Sequence, residues 1–192
     1  MKNKMFCVLI VGLFSMLTIH AQKFQAQASY EIQDLLRPEL QQKYRLTFDA
    51  TTSVYQDEAA NNNTGIYYKN SDTQLFVTSK KANKNDYLIC DALEKFNWNI
   101  TSETKTILGY SCTKATSASG ALVVWFTPGI PTNQGPENYT GLPGLILEVS
   151  SEKKLISCAK ISLLPPGKVQ IKPPVNGIKV NQKQFDLVSK KK

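Results

Sequence analysis

Histidine is nearly missing from this chain of 192 residues, and its one copy, His20, falls in a stretch that reads as a removable leader. Without an imidazole in the rest of the chain, no Ser-His-Asp or Cys-His arrangement can form, and histidine-built zinc sites go with them. Arginine is confined to Arg37 and Arg45. Phosphate and base recognition favours arginine forks and clustered charge, so the net charge of +8, spread over lysines interleaved with acids, does not point to nucleic acid. Neither G-x-G-x-x-G nor G-x-x-x-x-G-K-[ST] occurs, so nothing cradles a nucleotide phosphate. There is no C-x-x-C pair and no D-x-[DN]-x-[DN]-G calcium loop. These absences predict no cofactor, no metal and no recognisable catalytic set.

What is present begins with export. Met1-Lys2-Asn3-Lys4 is a short positive segment, Phe6 to Ile19 is uncharged and mostly apolar, and His20-Ala21-Gln22 follows. This predicts a signal peptide over residues 1–21 and one β-rich domain over 22–192, ending in a short basic tail. The apolar run is too short for a spanning helix, so no transmembrane segment is expected once the signal is removed. Cys7 stands at the start of that run rather than after it, which argues against lipidation. The remaining cysteines, Cys90, Cys112 and Cys158, are odd in number. One disulfide plus one free thiol is the simplest arrangement in an oxidising compartment, with Cys112 and Cys158 as the expected pair. Three unpaired buried cysteines are the alternative.

Period-two alternation recurs along the chain. Lys43 to Asp49 places Tyr44, Leu46 and Phe48 on one side, and Phe96, Trp98 and Ile100 alternate in the same way. Further strands are expected over 24–33, 53–56, 66–69, 74–79, 87–91, 104–115 (with a bulge at Gly109), 121–126, 145–150, 155–164 and 169–172. Asn181 is placed to cap a short final helix carrying Phe185, Leu187 and Val188. The pattern predicts a mainly β protein: a single curved antiparallel sheet or a partial barrel, with few short helical turns.

Pro128 to Gly144 is rich in proline and glycine, yet strong strands flank it and Ile130, Tyr139 and Leu142 give it groups to bury. It reads as a packed loop rather than a linker. Its end, Gly141-Leu142-Pro143-Gly144-Leu145-Ile146, feeds turn chemistry directly into an apolar strand. Glu148, further along that strand, is expected to face solvent.

The chemistry left to the chain is thin. S-x-x-K matches such as Ser102–Lys105, Ser111–Lys114 and Ser150–Lys153 sit on strands or turns, whereas that dyad needs serine at the start of a helix. Asp57-Glu58 is an acid pair in a polar loop and reads as solvated. Tyr67, Tyr68, Phe76, Trp98, Tyr110, Trp125 and Phe126 fill a core or line an apolar groove in a curved sheet.

The ordered set Trp98-Asn99-Ile100, Ile107 to Ala115, Trp125-Phe126, Ile130-Pro131, Gly135-Pro136 and Gly141 to Ile146 resembles the GLPGLI family of exported proteins typical of Bacteroidetes, over roughly residues 24–165. That family has no assigned reaction, cofactor or catalytic residue, so the resemblance implies an exported protein of the periplasm, outer-membrane face or exterior and carries over no site. Cys90 and Cys158 lie outside its pattern. The combined expectation is a non-enzymatic cell-envelope protein binding an apolar ligand or an envelope partner. The alternatives are an assembly component docking on an outer-membrane protein through the 128–144 loop, and a hydrolase of unrecognised type.

Overall fold

Alternating patterns become strands because each lays one row of side chains on a shared core face. The computed structural model describes residues 24–59, 65–165 and 167–190; the expected signal peptide, residues 1–21, lies outside them. β1 (Gln25–Asp34) buries Ala26, Ala28, Tyr30 and Ile32 and leaves the residues between them half-buried or exposed. β2 (Gln41–Phe48), β3 (Thr52–Asp57), β4 (Tyr67–Asn70), β5 (Leu75–Ala82) and β6 (Asn85–Ala92) follow as antiparallel neighbours. β7 (Trp98–Ile107), β8 (Tyr110–Ser117), β9 (Val123–Thr127), β10 (Leu145–Ser150) and β11 (Lys154–Leu164) run antiparallel back to β1. β12 (Ile178–Val180) joins the outer side of β6 in parallel, and α1 (Gln182–Lys190) packs against β6. The result is one sheet of 12 strands in the order β12-β6-β5-β4-β3-β2-β1-β11-β10-β9-β8-β7, with no pairing that closes it into a barrel.

The sheet curls around the β9–β10 connection, residues 128–144. Lys69 on β4 and Trp98 on β7 stand eight strands apart in the sheet order, roughly 38 Å on a flat sheet at ~4.8 Å per strand. Yet Lys69 Nζ donates to the carbonyls of Gly135 and Tyr139, and Trp98 Nε1 donates to the carbonyl of Thr140. Ile130, Tyr139 and Leu142 of this connection lie in the main core cluster beside Tyr30, Leu46, Phe48, Val124, Phe126, Ile146 and Ile156. The packed-loop expectation for 128–144 therefore describes the centre of the fold, and the loop occupies the hollow in which an apolar groove was expected.

Four local readings change. Residues 104–115 form two strands rather than one bulged strand: Leu108 and Gly109 both have positive φ (53° and 81°) and make the two-residue turn between β7 and β8. Residues 169–172 form no strand. Ile171 instead packs with Val54, Leu75 and Cys90 against Tyr68, Val77 and Leu88, and Gln25 Nε2 donates to the Val169 carbonyl (2.8 Å). The Cys112–Cys158 disulfide is not formed: Cys90, Cys112 and Cys158 are all free thiols. β9 and β10 lie between β8 and β11, three strand spacings of ~4.8 Å, whereas a disulfide needs Cα atoms within about 4.4–6.8 Å. Glu148 is not simply solvated, because Lys105 Nζ holds its carboxylate at 2.8 Å and lies 4.4 Å from the Trp125 ring centroid.

Candidate functional site

The Gly141–Ile146 motif is where loop and sheet are keyed together. Gly144 has φ +156°, and a Cβ there would penetrate the Thr127 carbonyl group. Gly141 has φ +94° with Trp98 beside it. A Cβ on Gly135 would come within 2.8 Å of Ile146 Cδ1. Leu142, Leu145 and Ile146 are buried, while Gly141 and Pro143 reach the surface. The register slips between Ile146 and Glu148, so Leu147 is an extra, buried residue and both faces of β10 are covered.

Polar groups finish the joint. Tyr30 Oη donates to the Ile146 carbonyl (2.6 Å), Ser53 Oγ donates to Gln134 Oε1 (2.7 Å), and the Ile146 N–H donates to the Gln134 carbonyl (3.1 Å). Lys69 is fully buried and reaches Gly135 O at 2.5 Å and Tyr139 O at 2.8 Å; burial holds its amine down to about 7. Glu137, in a left-handed conformation (φ 47°), is clasped by Lys154 Nζ, 2.7 Å from each carboxylate oxygen. Burial first, and this carboxylate second, push the hydroxyls of Tyr67 and Tyr139 up to about 12. This network contains no group poised for proton transfer to a ligand, because each member is spent on the loop.

The aromatic candidates do not converge on one cavity. Phe126 is core, Tyr68 belongs to a separate cluster with Val77 and Leu88, Trp98 holds the loop, and Trp125 lies under Lys105. Tyr44, Tyr55 and Tyr67 make a ladder across β2, β3 and β4, with Tyr44 and Tyr55 stacked at 4.9 Å. The Cys112 and Cys158 thiols are buried and pushed up by that burial, Cys158 to about 12, so neither is an activated nucleophile.

The best-formed opening lies at the opposite end of the strands from the motif. The β1–β2 turn and the β10–β11 turn meet there, tied by a bond from the Leu35 N–H to the Lys153 carbonyl (2.9 Å). Between them is a cleft of about 670 Å³ whose lining includes Ile32, Asp34, Arg37, Leu40 and Lys154. Asp34 organises its wall: Oδ1 accepts from the N–H groups of Leu36 and Arg37, and Oδ2 accepts from Arg37 Nε and Nη2. The Arg37 hydrogen bond, aided by the Leu36 N–H, holds the Asp34 carboxyl below the usual range, so it is an anion at neutral pH and no proton donor. Residues 34–42 read in the sequence as a plain polar connection; the Leu35-Leu36 pair and Leu40 around Pro38 were the available signal. Among the described residues no three His, Cys, Asp or Glu side chains group as metal ligands, and no helix is long and apolar enough to cross a membrane.

A family model described as "Protein of unknown function (Porph_ging)" matches residues 117–148. That segment runs from the end of β8 through β9 and the whole loop into β10, and it contains Gly141–Ile146. No curated protein matches the chain. Two solved structures of PNGF-II, in space groups C2 and P21, share the fold at TM-scores of 0.69 and 0.70 with 17% identity. Each match covers 88% of this chain and 33% of the other, so the chain spans about a third of PNGF-II.

Proposed function

We propose that this chain is an exported, non-enzymatic cell-envelope protein that binds an apolar ligand in the cleft between the β1–β2 and β10–β11 turns. The observation that carries the reading is the cleft itself: about 670 Å³, with Ile32 and Leu40 as apolar lining and charged groups at its sides. That volume is in the usual range for small-molecule sites, roughly 300–1,000 Å³. The chemistry beside it supports binding over turnover. Asp34 is a stabilised carboxylate, Lys154 is engaged by Glu137, and the buried Lys69 amine is committed to two backbone carbonyls. The leader at the N-terminus of the sequence supports export.

The test is a titration with 1-anilinonaphthalene-8-sulfonate, an apolar probe, followed by fluorescence on folded protein. Saturable enhancement that Leu40→Glu weakens at least tenfold is expected, since Leu40 lines the cleft but is exposed enough for the variant to fold. Enhancement indifferent to Leu40→Glu, or none, would overturn the reading.

A further inference from the structure

The turn beside the cleft has a property that the cleft does not require. Leu35, Leu36 and Leu40 are exposed at 42, 70 and 44% within six residues of chain. The turn is nevertheless well ordered: the four bonds to Asp34 and a bond from the Leu40 N–H to the Arg37 carbonyl (3.0 Å) fix its backbone, and Pro38 stiffens it. The leucines are thus held outward on a convex tip. Such a shape suits a soft layer better than a preformed pocket, and grouped exposed apolar residues mark an interaction surface.

Charge indicates which layer. The antiparallel order puts the β1–β2, β5–β6 and β10–β11 turns at one end of the strands, and Asn83 Nδ2 brings the end of α1 there by donating to the Val188 carbonyl (2.7 Å). Lys84, Lys153 and Lys190 lie at that end without an acidic partner among the described residues, and Arg37 sits within the tip. Glu39 and Glu152 are the unpaired acids there, on a chain of net charge +8.

We propose that this tip inserts its leucines into the headgroup layer of an anionic lipid surface, with the lysines around it meeting the lipid phosphates. The attachment does not depend on a ligand in the cleft. Co-sedimentation of the full chain with phosphatidylcholine vesicles, with and without phosphatidylglycerol, tests it. Retention on the anionic vesicles, falling with salt and at least tenfold weaker for Leu36→Asp, is expected. Leu163→Asp, at a residue 78% exposed near the far end of β11, should bind like the parent chain. Equal retention of the parent and Leu36→Asp would mean attachment by charge alone and would overturn the proposal, as would no retention on either vesicle. Probe binding in the cleft should persist in Leu36→Asp, so the two readings fail separately.

Discussion

Two buried tyrosines with opposite hydrogen-bond states make a controlled comparison. Tyr30 Oη donates to the Ile146 carbonyl, whereas Tyr55 Oη is buried with no partner among the described residues. Removing the first hydroxyl leaves a buried carbonyl short of its donor, and Tyr30→Phe should cost about 1–3 kcal/mol. Removing the second relieves a desolvation penalty, so Tyr55→Phe should be neutral or stabilising by about 1 kcal/mol. Urea denaturation of both variants checks the pair; a loss for Tyr55→Phe as large as for Tyr30→Phe would contradict the assignment. Lys69 supplies a pH test. Its folded-state pKa, about 7, lies well below that of an unfolded lysine, so between about pH 7 and 10 the unfolded chain binds more protons. Stability should therefore rise with pH across that window, by at most about 1.4 kcal/mol per unit. It should be lost again as pH falls toward 7, and Lys69→Met should flatten the slope. The tyrosines act in the other direction only above about pH 10, since burial raises their pKa values.

The elements whose patterns show in the sequence are those that solve a local problem. Lys43 to Asp49 alternates because β2 has one buried face, and Asn181 caps α1 reciprocally with Gln184 as its position suggests (2.9 Å in each direction). The joint at Gly141–Ile146 was legible as turn feeding strand, since no other residue tolerates the Gly144 environment. What it joins was not legible, because the partners, Thr127, Trp98, Tyr30 and Lys69, come from four distant strands. Leu147 breaks alternation through a bulge, and a bulge has no periodicity to read. Gly144→Val forces β-branched bulk into the Thr127 backbone. It should cost more than roughly 4 kcal/mol and leave little soluble protein after refolding. A soluble, protease-resistant Gly144→Val chain would show that the loop does not depend on this contact.

At the scale of the whole molecule, the sheet encloses its own loop instead of an open groove, and that shifts attention from the curved face to the strand ends. The family-model match and the core-forming loop coincide at residues 117–148, so the matched pattern is accounted for by folding. The cleft and the leucine tip lie outside that segment, on turns whose sequences carry no periodicity and whose meeting depends on β1 pairing with β11 across most of the chain. Long-range pairing of this kind is invisible to local pattern.

The account's central claim is that a preformed cleft between two turns, rather than the curved face, takes the ligand. Two-dimensional amide NMR of the full mature chain titrated with decanoate, an apolar chain with one carboxylate, tests this most directly. Saturable shifts confined to residues around Ile32, Leu40 to Gln42 and Ser151 to Lys154 are the predicted result. Shifts centred on the 128–144 loop and Tyr67, or none at millimolar decanoate, would contradict it.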